Sequence, residues 1–164
     1  MTSFDIYNIK PVISHTLQTL GKYSTAAENL LLITVALQAE QLNSNQECGL
    51  SVYKIDWAAH IGVWDKYLIF EPDLASTIRG LASEKAFLQN PHLELLTNQG
   101  YATAIAWLIY QSSELTLPHA EDVQGLTACW AKYFAKRNNS AIGKEALINS
   151  CAEETKRTHQ KFLI

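Results

Sequence analysis

The sequence has 164 residues, of which 48% are hydrophobic and 18% charged, with a formal net charge of −3. A chain of that length suits one domain spanning residues 1–164, burying roughly two thirds of its unfolded surface. The apolar fraction excludes a disordered chain, and the slight negative charge gives no reason to expect nucleic acid or an anionic membrane as partner.

Apolar residues recur mainly at helical spacing, which predicts an all-α domain of six or seven helices with at most one small hairpin. Val12, Leu17 and Leu20 mark a first helix ending at Gly21. Thr25 and Glu28 form a capping box, the threonine oxygen taking a free amide and the glutamate reaching back. That box opens a second helix through Gln41, with Thr34 and Gln38 on the side of a groove. Residues 43–49 read as a loop, and Leu50 to Ile55 as one short strand or an extended turn. Asp56 caps a helix with Trp57, Ile61, Trp64 and Leu68 on one side, and Pro72 starts another with Leu74, Ile78 and Leu81 inward. Asn90 and Pro91 are a cap and first-turn proline for one long helix to Tyr110, whose buried stripe is Leu93, Leu96, Gly100, Ala104 and Trp107. Pro118 precedes a helix with Glu121 and Asp122 in its first turn, and a last helix covers Lys144 to Phe162.

The longest apolar run, Ala102 to Tyr110 broken by Thr103, falls far short of the ~20 residues of a membrane span. The start of the chain lacks a basic stretch followed by an apolar one, so no secretory leader is expected. Cys48, Cys129 and Cys151 are odd in number and lack metal-ligand spacing, which predicts reduced thiols and a cytoplasmic setting. The five histidines are never paired four residues apart, there is no glycine-rich phosphate cradle, and no nucleophile elbow surrounds any serine. No metal and no cofactor are expected. The four tryptophans are read as core residues, with a groove lining as the alternative. Lys132, Lys136, Arg137, Lys144, Lys156, Arg157 and Lys161 make the last third locally basic, either a solvated face or a contact for an acidic partner.

Three segments in order carry a more specific signal: Leu30 to Gln38 (LLLITVALQ), Gly49 to Leu68 (GLSVYKIDWAAHIGVWDKYL) and Asn98 to Ala106 (NQGYATAIA). Trp130 to Phe134 (WAKYF) and Asn139 to Lys144 (NSAIGK) come after them. Over about Ala26 to Lys144 this order resembles the lysozyme-like, lytic-transglycosylase-like domains of tailed phages and prophages. In that family an apolar helix ends in a catalytic glutamate, followed by a Gly-Leu-aromatic-Gln segment, a His-x-x-Trp-x-x-Tyr-Leu run and an Asn-x-x-Tyr-Ala-Thr-Ala helix.

The resemblance implies a helical domain with a glycan groove, here bordered by Gln38, Tyr53, Lys54, Asn98, Tyr101, Trp130 and Tyr133. It also places the family's glutamate on Gln38. Glycoside cleavage needs a carboxylic acid to protonate the leaving oxygen, which an amide cannot do. The family's glutamine after the aromatic is Lys54, and its Pro-Thr pair before the histidine is lost in Trp57, Ala58 and Ala59. Glu40 and Glu47 are the remaining catalytic candidates, although two residues along a helix turn Glu40 ~200° from Gln38.

These departures imply a phage- or prophage-derived pseudoenzyme, kept in the cytoplasm of the bacterial host, that binds and blocks a host protein such as a defence complex. The alternative is an endolysin or virion-associated enzyme cleaving peptidoglycan glycan strands, with Glu40 or Glu47 as general acid and Tyr53, Asn98 and Tyr101 holding the glycan. An unrelated helical regulator is the third possibility.

Overall fold

The computed structural model describes residues 6–42, 52–82 and 91–135. Helix accounts for 76% of the described residues and no strand occurs among them, so the fold is all-α, as the spacing predicts. The elements are α1 (Ile6–Thr19), α2 (Thr25–Leu42), α3 (Trp57–Lys66), a 3-10 turn (Leu68–Phe70) and α4 (Pro72–Leu81). They continue with α5 (Pro91–Thr97), α6 (Gln99–Gln111), α7 (Val123–Cys129) and a π-helical segment (Trp130–Ala135). Among the described residues no helix is long and apolar enough to cross a membrane.

Helix α6 is the hub, touching α1, α2, α3, α4, α5 and the π segment. Every residue from Tyr101 to Tyr110 is buried. A helix enclosed on all sides has no need of a polar face, which is why its sequence reads as a continuous apolar run rather than a stripe. α2 lies beside it and buries Leu30, Leu31 and Val35, while α1 contributes Ile9, Ile13 and Leu17 to the same core.

Helix ends obey local chemistry. α1 stops at Gly21, which adopts φ 69 and lets the Lys22 and Gly21 amides donate to the Leu17 and Gln18 carbonyls at 2.9 and 3.0 Å. This left-handed closure suits glycine because it has no Cβ to clash. α2 begins one residue away from the expected cap. The Ser24 hydroxyl, not that of Thr25, accepts from the Ala27 amide at 3.0 Å. With Ser24 as cap, Glu28 lies one position too far along to close the box, and it is buried beside the Tyr23 hydroxyl instead. Asp56 caps α3 as expected, its Oδ1 accepting from the Ala59 amide at 2.7 Å.

The expected long helix from Pro91 to Tyr110 is two helices. Asn98 interrupts it: Oδ1 accepts from the Tyr101 amide at 3.0 Å, capping α6, and Nδ2 donates to the Leu81 carbonyl at 2.7 Å. One asparagine thereby starts α6 and ties the end of α4 to it. Leu96, expected inside, is exposed on α5. The α3 stripe is also rotated. Trp57 is 64% exposed, and the buried residues are His60 and Val63, because α3 turns His60 and Trp64 toward Tyr101 of α6. On the other side of the core, Asp122 caps α7 through the Gly125 amide, leaving Glu121 outside the helix. Residues 43–49, Asn90, the expected helix Lys144 to Phe162, Cys48 and Cys151 lie outside the described residues.

Candidate functional site

α2 presents Thr34 and Gln38, one turn apart, to the interior rather than to an open groove. Both are buried, and each fastens the helix to a neighbour. The Thr34 hydroxyl donates to the Leu30 carbonyl at 2.7 Å and lies 2.6 Å from the Tyr110 hydroxyl. A hydroxyl has one proton, so with that proton on Leu30 it is Tyr110 that donates to Thr34. The Tyr110 ring stacks on Phe134 at 5.3 Å, joining α2, α6 and the π segment at one point.

Gln38 donates from Nε2 to the Tyr53 carbonyl at 2.7 Å and is 4% exposed. That bond anchors the turn preceding α3, in which Lys54 adopts a positive φ of 51. The Tyr53 ring is fully buried and its hydroxyl lies 2.8 Å from Thr103 Oγ1. Thr103 donates to the Gln99 carbonyl at 2.7 Å, so Tyr53 is the donor in the shared bond. Burial raises the Tyr53 and Tyr110 phenols well above their ordinary range, with the threonine partners offsetting part of the rise. Both keep their protons. Lys54 is half-buried, and desolvation lowers its ammonium pKa.

A second network lies on another side of α6. The Tyr101 hydroxyl accepts from Trp64 Nε1 at 2.8 Å and is 2.7 Å from His60 Nε2, with the two rings edge to face at 5.5 Å. Burial raises the Tyr101 phenol; the Trp64 bond lowers it and the Glu94 carboxylate adds a smaller upward push. Glu94, on α5, is fully buried. Its Oε2 accepts from Asn98 Nδ2 at 3.1 Å, while Oε1 has no hydrogen-bond partner among the described residues.

The expected groove residues therefore do not form one lining. Tyr101 and Thr103 are two positions apart on α6, so they point ~200° apart. Tyr53 joins the Thr103 side with Gln38, whereas Tyr101 joins α3. Asn98 works at the helix joint. Trp130 is buried at the start of the π segment, and its indole N–H makes no hydrogen bond among the described residues. Tyr133 is half-buried with the Lys132 ammonium 5.1 Å from its ring centre. Glu40 sits on α2 by its backbone, and its side chain and all of Glu47 lie outside the described residues.

No protein-family model matches this sequence, and no curated protein or solved structure matches it. The lysozyme-like resemblance stands on the sequence segments alone.

The residues that reading the sequence missed are the partners: Thr103 for Tyr53, Tyr110 for Thr34, and His60 with Trp64 for Tyr101. Only His60 and Trp64 left a trace, being four apart on one helix. The others come from segments 50 or more residues away. An open pocket of about 170 Å³ lies between α3 and the end of α6, lined by Ala58, Ala59, Gly62, Val63, Lys66, Tyr67, Ile109 and Ser112. None of the expected site residues borders it. Among the described residues no three His, Cys, Asp or Glu side chains gather to hold a metal.

Proposed function

We propose that this chain is a non-catalytic, lysozyme-like protein of phage or prophage type that acts by binding and blocking a bacterial host protein, a defence complex being one fitting target. The observation that carries the reading is the state of Gln38. At the position where the resemblance expects a general acid stands an amide, and its N–H is committed to the Tyr53 carbonyl inside the fold. An acid that protonates a leaving oxygen has to face the substrate with a proton to give. Gln38 has neither property. Its neighbours Thr34, Tyr53 and Tyr110 are likewise engaged in holding helices together, which suits a packing role rather than substrate chemistry.

The test is a peptidoglycan suspension treated with purified wild-type protein from mildly acidic to neutral pH. No clearing is expected. General acid catalysis typically contributes on the order of 10²–10⁴ in rate, so an active enzyme stands well apart from this outcome. Clear lysis by the wild type, abolished by Glu40→Gln or Glu47→Gln, overturns the proposal and makes the chain a peptidoglycan-cleaving enzyme with a displaced acid.

A further inference from the structure

The two most exposed large apolar side chains among the described residues are adjacent: Ile69 at 66% and Phe70 at 78%. They ride on the 3-10 turn between α3 and α4. Single exposed apolar residues are ordinary, but a contiguous apolar projection marks an interaction surface. This turn is held firmly beneath them. Leu68 is buried, the Phe70 amide donates to the Tyr67 carbonyl at 3.1 Å, and the Glu71 amide donates to Leu68 at 3.0 Å. Gln111 Nε2 donates to the Tyr67 hydroxyl at 2.7 Å, fixing the turn to the end of α6. The pocket bordered by Lys66 and Tyr67 opens beside it and has room for an aliphatic side chain.

Charge decides the kind of occupant. From position 65 to 73 the exposed carboxylates Asp65, Glu71 and Asp73 stand against one exposed ammonium, Lys66. We propose that the Leu68–Phe70 turn, with the pocket beside α3, docks a basic amphipathic segment of a partner protein, its apolar side chains meeting Ile69 and Phe70 and its cations meeting the flanking carboxylates. A second copy of this chain is disfavoured, because two such turns each carry more exposed carboxylates than ammoniums and repel one another. Anionic membrane is disfavoured for the same reason, like charges facing each other across the contact. The inference rests on the reading of this chain as a binding protein and names the surface that reading lacked.

The experiment measures fluorescence anisotropy of a fluorescein-labelled amphipathic helix of leucine and lysine, with a leucine and glutamate helix as control. Saturable binding of the lysine peptide is expected, with none of the control. Ile69→Ser/Phe70→Ser should weaken binding at least about tenfold, the size of a hot-spot loss. Glu71→Gln/Asp73→Asn should weaken it several-fold and flatten its salt dependence. Both variants alter exposed side chains and should unfold with the wild type. Equal binding of the two peptides, or undiminished binding by Ile69→Ser/Phe70→Ser, overturns the proposal. Sedimentation showing a wild-type dimer lost in that variant replaces the partner with a second copy. Co-sedimentation with phosphatidylglycerol vesicles, lost in the same variant, replaces it with a membrane. Lysis of peptidoglycan by the wild type removes the blocking function but leaves the peptide result standing, so the two ideas fail separately.

Discussion

Gln38→Glu exchanges one buried donor for an acceptor, and the surroundings of the side chain set the cost. It is 4% exposed and its Nε2 lies 2.7 Å from the Tyr53 carbonyl. An ionised carboxylate there faces another acceptor. The carbonyl loses its partner, costing about 1–3 kcal/mol, and the buried charge adds its own penalty. If burial and the facing carbonyl raise the new acid by about two units, each unit is worth about 1.4 kcal/mol. Lost partner and buried charge together separate the ionised from the neutral side chain, so a rise of about two units makes the total about 3 kcal/mol at neutral pH.

Protonation reverses this, since a neutral glutamic acid can donate to the Tyr53 carbonyl in place of the amide. The acid binds its proton more tightly folded than unfolded. The variant's deficit is therefore smallest below the unfolded value of about 4.3 and grows as pH climbs through the raised folded value. Urea denaturation of wild type and variant at about pH 4 and about pH 7.5, on either side of that range, measures the difference, in which titrations common to both proteins cancel. Gln38→Met, which loses the bond without gaining a charge, should show a pH-independent deficit of about 1–3 kcal/mol. A Gln38→Glu protein as stable as wild type near neutral pH, or equally weakened at both pH values, refutes the placement of Gln38 inside the fold.

The Thr34 and Tyr110 pair should respond unequally. Thr34→Val strands the Tyr110 hydroxyl in the core and should cost about 1–3 kcal/mol, whereas Tyr110→Phe leaves Thr34 bonded to Leu30 and should cost about 1 kcal/mol. Reversed magnitudes in thermal or urea unfolding contradict the assigned donor. Asp56 is raised to about 6, first by burial, with the Ala59 and Ala58 amides pulling the other way. Its folded proton is the tighter one, so stability is lost as pH rises from about 4 toward that value. Asp56→Asn keeps the cap oxygen and should gain on the order of 1 kcal/mol at about pH 7.5, after allowance for solvent screening, and almost nothing at about pH 4. Glu114 is exposed with φ 55, a left-handed conformation disfavoured for residues with a Cβ. Glu114→Gly should stabilise by about 1 kcal/mol in the same assay, and a loss of that size counts against the backbone conformation.

Much of the helical framework could be read in the sequence because its causes are local. The periodicity of Leu30, Leu31, Thr34, Leu37 and Gln38, the glycine at position 21, the aspartate before α3 and the proline before α4 act within a few residues of themselves. They give the same answer in any surroundings. The all-α class comes from them.

The errors fall where a residue's alternatives were decided by something distant. Thr25 and Glu28 have the spacing of a capping box, yet it is the Ser24 hydroxyl that takes the Ala27 amide. Asn98 reads as a helix-interior residue until the Leu81 carbonyl, seventeen positions earlier, claims its amide. Trp57 completes an apolar stripe in sequence, yet α3 is rotated so that His60 and Trp64 face Tyr101 and Trp57 stays exposed.

The candidate site was least legible of all. A run of Thr34, Gln38, Tyr53 and Tyr101 looks like a polar groove, because sequence names hydrogen-bonding groups without naming their partners. Buried polar groups must find partners. Only the folded chain, bringing Tyr110 to Thr34 across 76 positions and Thr103 to Tyr53 across 50, decides that these groups bond to one another inside the core.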